Sequence, residues 1–219
     1  MKAMILAAGR GERMKPLTDM IPKPLLPVVG KPLIIHHIER LKEAGFKQIV
    51  INLGHLGHLI QKILGDGSRF GVEIYYSDEQ EEGALESLGG IVKALDILGS
   101  EPFLVVNGDI YCNYDFNPNF NLQKAPAHIV LVPNPEHNKK GDFGLNNGYI
   151  SNVAQKMFTF SGIGYYHPSI FNDISPQKAP LAPLLRDLAD KKQLSGELFE
   201  GVWHDIGTPQ RLKEINENF

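Results

Sequence analysis

The sequence predicts an α/β fold, with a mostly parallel central sheet flanked by helices, and three observations carry that prediction. Short apolar runs of strand character alternate with amphipathic helical stretches through the first half of the chain. The connections between them are short, which implies right-handed crossovers and parallel neighbours. The length of 219 residues suits a single domain, 1–219, able to bury one sizeable core.

Residues 4–8 form the first strand, which breaks at Gly9. Residues 31–44 form the first helix, because Leu33, Ile34, His37, Ile38, Leu41 and Ala44 fall on one face and Gly45 ends it. A second strand covers 48–53, a second helix 56–64 and a third strand 72–77. A helix over 88–98 leads into a strand over 103–107. There Phe103, Leu104, Val105 and Val106 make the continuous apolar run of a strand buried on both faces. The second half is less regular. It contains strands over 128–133, 148–153 and 159–166. A helix follows over 180–192 with Leu181, Leu184, Leu185 and Leu188 on one side, then a terminal helix over 209–219. Residues 113–126, rich in Asn and Pro, read as a long loop able to serve as a lid.

Composition excludes several function classes. The net charge of −3 gives no global attraction for nucleic acid, so any anion site is local. Cys112 is the only cysteine, which excludes an internal disulfide and a cysteine-based zinc site and reads as a buried thiol. No apolar run reaches the ~20 residues that span a bilayer, and no signal-peptide pattern opens the chain. The expectation is a cytoplasmic protein, a monomer or small homo-oligomer, with no nucleic-acid or membrane partner. His55 and His58 have metal-pair spacing but no acidic or thiol ligand nearby in sequence, and read as a solvated helix start.

The most informative stretch is 1–27. Its strand stops at Gly9-Arg10-Gly11, where backbone N–H groups can face an anion, and Arg10, Arg13, Lys15 and Lys23 follow. Pro16, Pro22 and Pro24 stiffen the loop and lower the entropy lost on closing around a ligand. The stretch is neither a P-loop nor a Gly-x-Gly-x-x-Gly dinucleotide loop. It resembles, residue for residue, the signature of the sugar-1-phosphate nucleotidylyltransferases. That signature reads here Leu6-Ala7-Ala8-Gly9-Arg10-Gly11-Glu12-Arg13-Met14-Lys15-Pro16-Leu17-Thr18, then Pro22-Lys23-Pro24. The resemblance covers essentially the whole chain and implies a Rossmann-like fold of the nucleotide-diphospho-sugar transferase type. By that resemblance 1–110 is the nucleotide-binding half and 111–219 the sugar-phosphate-binding half. It places Leu6, Ala8, Gly9, Gly11, Glu12, Arg13, Lys23, Glu79 and Gly83 around the nucleotide, with Arg13 on the triphosphate and Lys23 on the reacting phosphate.

Two aspartates end apolar runs where a parallel sheet binds ligands: Asp109 after Asn107-Gly108, and Asp205 in Trp203-His204-Asp205-Ile206-Gly207-Thr208-Pro209. A carboxylate beside a triphosphate needs an intervening cation, and Mg²⁺ prefers one or two carboxylates plus phosphate oxygens. The family pattern assigns both aspartates to Mg²⁺. The implied reaction is attack of a sugar 1-phosphate oxygen on the α-phosphorus of an NTP, with pyrophosphate leaving. The nucleophile is already an anion, so positioning and charge neutralisation suffice.

The acidic loop 79–90 is expected to contact the base. Its Gly-Ala-Leu-Glu-x-x-Gly-Gly form is similar to short uridylyltransferases acting on N-acetylmuramate 1-phosphate, although Leu88 stands where they carry a small residue. Asn107, Asp142 and Gly144 are expected to bind the sugar phosphate, and Lys139 and Lys140 to supply charge for a lactyl carboxylate. Residues 144–160 contain no glutamate, where many relatives place one. Mannose-1-phosphate guanylyltransferases, a phosphocholine cytidylyltransferase and a non-catalytic nucleotide-sugar sensor remain the alternatives.

Overall fold

A computed structural model describes residues 1–81 and 83–218. Glu82 of the acidic loop and Phe219, expected to close the last helix, lie outside the described residues. The first strand, β1 (Lys2–Leu6), leads through the phosphate loop into a small hairpin, β2 (Pro27–Val28) and β3 (Lys31–Pro32). Then follow α1 (Leu33–Glu43), β4 (Gln48–Leu53), α2 (Gly57–Leu64) and β5 (Glu73–Asp78). The expected helix over 88–98 is two, α3 (Glu86–Lys93) and α4 (Leu95–Leu98), before β6 (Phe103–Asn107). β7 (Ile110–Cys112), β8 (Ala127–Val132), β9 (Phe143–Asn146), β10 (Tyr149–Ser151) and β11 (Met157–Tyr166) come next. The chain continues through α5 (Ala182–Asp190), β12 (Leu194–Leu198), β13 (Trp203–Asp205) and α6 (Pro209–Asn218).

One nine-stranded sheet runs in the order β5-β4-β1-β6-β11-β8-β12-β10-β9. The pairings β5–β4, β4–β1 and β1–β6 are parallel, as the short crossovers imply. From β6 onward the expectation of a mostly parallel sheet needs correction. β11 pairs antiparallel with β6, β8 and β9, β10 pairs antiparallel with β9 and β12, and only β8–β12 is parallel. For β9 and β10 the physical reason is connection length, because the turn between Asn146 and Tyr149 is too short for a crossover helix. One sheet face packs with α1 and α2 around Ile5, Ile38, Ile51 and Val106, with Tyr114 and Phe116 reaching in, and the other packs with α3, α4 and α5 around Met4, Ile91, Phe103 and Leu185. Phe120 stacks on Tyr165 at 4.2 Å, so the stretch 113–126 is packed into the fold, and no residue of it lines the large cleft described below.

Two small devices position the site. β7 and β13 form an antiparallel ribbon in which Asp205 faces Ile110, and the Ile206 N–H donates to the Asp109 carbonyl at 2.8 Å. A third cluster of Met14, Leu26, Val28, Leu33, Ile206, Leu212 and Ile215 clamps α6 onto the phosphate loop.

Candidate active site

The strand ends of β1 and β6 and the loop before α3 surround a cleft of about 740 Å³. Leu6, Ala8, Gly9, Gly11, Glu12, Arg13, Lys23, Gly83, Asn107 and Asp109, all expected at the site, line it. β1 and β6 are neighbours in register, with Leu6 opposite Asn107, which is why the two loops that follow them open into one space.

Gly11 adopts a left-handed backbone at φ +63, and a Cβ there would lie 2.9 Å from Thr18. The turn this permits is held by the Thr18 hydroxyl, which donates to the Gly11 carbonyl at 2.8 Å. The four loop cations then divide. Arg10, Arg13 and Lys23 line the cleft, whereas Lys15 points away and pairs with Glu12 at 2.8 Å. Pairing holds the exposed Glu12 carboxyl below, and the Lys15 ammonium above, their ordinary pKa values.

Lys23 is 9% exposed and opens a 3₁₀ turn at Lys23–Leu25. Its Nζ donates to Asp109 Oδ2 at 2.7 Å. A buried ammonium needs a partner, and Asp109 holds it at the cleft floor before any substrate arrives.

Asp205 does not itself line the cleft, but its neighbour Gly207 does. Asp205 Oδ2 is 2.8 Å from Arg211 Nη1 and 3.3 Å from His137 Nε2. Its Oδ1 is buried without a hydrogen-bond partner, which is costly for a carboxylate oxygen. A Cβ at Gly207 would lie 2.7 Å from Asp205 Oδ1, 2.9 Å from Arg211 Nη1 and 3.3 Å from Arg13 Nη2. Gly207 is therefore the point where the loop after β1 and the C-terminal segment converge, and a side chain there would have to displace the Asp205 and Arg211 side-chain ends. Among the described residues no group of three or more His, Cys, Asp or Glu forms a ready-made metal cage. Two carboxylates joined by a ribbon, one with an orphaned oxygen, suit instead a hard cation that takes its remaining ligands from phosphate and water.

Three expected residues lie elsewhere. Glu79 is fully buried, and its carboxylate accepts from Asn52 Nδ2 and from the Leu85 N–H, so it braces the base loop from beneath. Asp142 spends both oxygens inside the protein, accepting from the Phe160 N–H at 2.9 Å and from Asn138 Nδ2 at 3.1 Å. Gly144 is closed off, since a Cβ there would lie 2.3 Å from Ala154. Neither Asp142 nor Gly144 lines the cleft, and Gly-Asp-Phe-Gly forms a turn and strand start. Asp142 instead fixes the 3₁₀ turn Glu136–Asn138 that sets His137 against Asp205. Lys139 is exposed and paired with Glu136, and neither it nor Lys140 lines the cleft.

Sequence reasoning missed Asn52, Ser87, Lys178 and Gly207 on the cleft wall and His137 and Arg211 behind it. Gly207 and Arg211 carried a sequence signal in their closeness to Asp205, and Ser87 in its place within the acidic loop 79–90. The others reach the site through long-range contacts, such as Asn52 Nδ2 donating to Glu79 Oε1 at 2.7 Å.

Comparison with known proteins places this geometry in a family. The nucleotidyl transferase family profile matches residues 2–219. An N-acetylmuramate alpha-1-phosphate uridylyltransferase of Neisseria meningitidis serogroup B is 51% identical, over 98% of this chain and 96% of its own. A mannose-1-phosphate guanylyltransferase catalytic subunit beta of Drosophila melanogaster is 30% identical over 95% of this chain, which spans 60% of that relative's length. A Bacillus anthracis crystal structure, described as a glucose-1-phosphate thymidylyltransferase, superposes with a TM-score of 0.85 at 26% identity, covering 100% of this chain and 94% of that one.

Proposed function

We propose a substrate pair for this chain, which belongs to the nucleotidyl transferase family: UTP and N-acetylmuramate 1-phosphate. The observation that carries the pair is the end-to-end likeness to the Neisseria uridylyltransferase, at 51% identity. The guanylyltransferase relatives, similar over a part of their length, keep mannose 1-phosphate with GTP as the second reading.

The roles follow from the cleft. Arg13 and Arg10 bind the outer phosphates, with the Gly9–Gly11 backbone beneath them. Lys23, oriented in advance by Asp109, neutralises the α-phosphate as charge develops, so little reorganisation is needed at the reacting step. Gly83 borders the base and Asn107 the sugar phosphate. Asp109 and Asp205 are read as the ligands of Mg²⁺. Bound there, Mg²⁺ would offset the repulsion among carboxylates and phosphates. Residues 1–110 serve as the nucleotide half and 111–219 as the acceptor half of a cytoplasmic enzyme, a monomer or small homo-oligomer. Net charge −3 and, among the described residues, no helix able to cross a membrane agree with small-molecule substrates.

The test is a matrix of four NTPs against a panel of sugar 1-phosphates, reading pyrophosphate release. UTP with N-acetylmuramate 1-phosphate should exceed GTP with mannose 1-phosphate by at least ~10-fold in kcat/KM, about 1.4 kcal/mol. The reverse preference would overturn the substrate pair and leave nucleotidyl transfer standing.

A further inference from the structure

A buried polar chain underlies the cleft and takes no part in the chemistry described above. Asn52, near the end of β4, is 2% exposed. Its Oδ1 accepts from the Ala7 N–H at 2.6 Å and its Nδ2 donates to Glu79 Oε1 at 2.7 Å. Glu79 Oε2 accepts from the Leu85 N–H at 2.8 Å, and the Glu79 N–H donates to the Leu53 carbonyl at 2.8 Å. The end of β1, the end of β4 and the loop leading into α3 are joined by this one chain of bonds. A Cβ at Gly90 would lie 2.7 Å from Glu79 Oε1 and 2.8 Å from Asn52 Nδ2, so α3 carries glycine where the pair needs room.

The order of donors and acceptors is fixed. Ala7 offers a donor and needs the amide oxygen, and the carboxylate needs the amide N–H₂. Ala7 lines the cleft on one side of this chain, and Gly83, Ala84 and Ser87 line it on the other. We propose that Asn52 and Glu79 are positioning residues for the nucleotide, setting the distance between the loop under the phosphates and the loop beside the base. The proposal rests on the nucleotide reading of the cleft, and it is independent of which base or sugar is used.

A polarity swap tests it. Asn52→Asp sets two carboxylates against each other. Glu79→Gln leaves one donor facing another. In the double variant N52D/E79Q, the carboxylate at position 52 accepts from Ala7 and from the new amide at position 79. That amide's oxygen still accepts from Leu85, so the bonds to Ala7 and Leu85 and the bond within the pair are restored. Each single variant should raise the NTP KM about tenfold or more while changing the sugar-phosphate KM less than about threefold, and the double should recover most of the NTP loss. Equal effects on both substrates, no effect, or a double variant as impaired as the worse single would overturn the proposal. Thermal melts report folding. If a single variant is recovered unfolded, the double decides alone, a recovered NTP KM supporting the linkage and a raised one defeating it. The unmodified protein is first assayed with each of the four NTPs. Failure with UTP defeats the substrate pair, and the variants are then scored with the NTP that is turned over.

Discussion

Residues 6–23 approach the cleft with bare backbone and three cations, whereas residues 134–142 approach Asp205 with one imidazole on a turn tied by side chains. In the first segment the arrangement is mostly local, a left-handed Gly11 latched by the nearby Thr18 hydroxyl, with one long-range bond from Lys23 to Asp109. In the second it depends on a polar knot. Asn138 Nδ2 donates to Asp142 and Thr159, the Thr159 hydroxyl donates to Asn134 Oδ1, and Asn134 Nδ2 donates to the Met157 carbonyl. The difference teaches which residues report function directly. A contiguous motif whose backbone faces the ligand keeps its meaning out of context. A turn whose side chains bond one another positions a single group, and its own polar residues are scaffold.

The largest effects should come from the two carboxylates. Asp109→Ala and Asp205→Ala should each lower divalent-metal-dependent turnover by ~10²-fold or more with the fold intact. Circular dichroism and pyrophosphate release at saturating Mg²⁺ check this, and a variant keeping above about a tenth of wild-type activity removes that residue from the reacting complex.

Next come the cations of the phosphate loop. Lys23→Ala should act mainly on kcat, and Arg13→Ala should raise the NTP KM while also lowering kcat, the pattern of a cation that grips phosphates in both ground and transition states. Steady-state kinetics in both substrates separate these, and the reverse pattern would exchange the two roles.

A smaller effect concerns the dry packing behind Asp109. His37 is 2% exposed, and burial pushes its pKa down to about 4. An unfolded histidine titrates near ~6.5, so the folded state binds fewer protons between the two values. The stability contributed by neutral His37 is whole above ~6.5 and falls with pH toward about 4, by up to ~1.4 kcal/mol per pH unit. Urea unfolding at several pH values should show that slope in wild type and a flatter one in His37→Phe. Equal slopes would mean that His37 is not held neutral.

The smallest effect is assigned to the second-half turn. Asp142→Ala should cost about 1–2 kcal/mol of stability by leaving the Phe160 N–H without an acceptor and Asn138 Nδ2 with Thr159 alone. Its loss of kcat/KM should be far below that of Asp205→Ala. A sugar-phosphate KM that rises sharply in a stably folded Asp142→Ala protein would restore Asp142 to direct sugar contact and erase the contrast between the two segments.

The sequence by itself determined the parallel first half, the phosphate loop and the two strand-end aspartates. Each is local: apolar runs set β1, β4 and β6, helical spacing sets α1, and glycine and proline punctuate the loop. These signals need no partner to be read. Tertiary structure alone decided that β11 pairs antiparallel with β6 and β8, that Asp142 braces a turn, and that Asn52, His137 and Arg211 meet residues far along the chain. It also decided that Glu79 is buried beneath the base loop, a position that an acidic run in a loop would not suggest. The physical reason is that a polar side chain's role is set by which donors and acceptors surround it, and those partners are supplied by the fold across tens of residues.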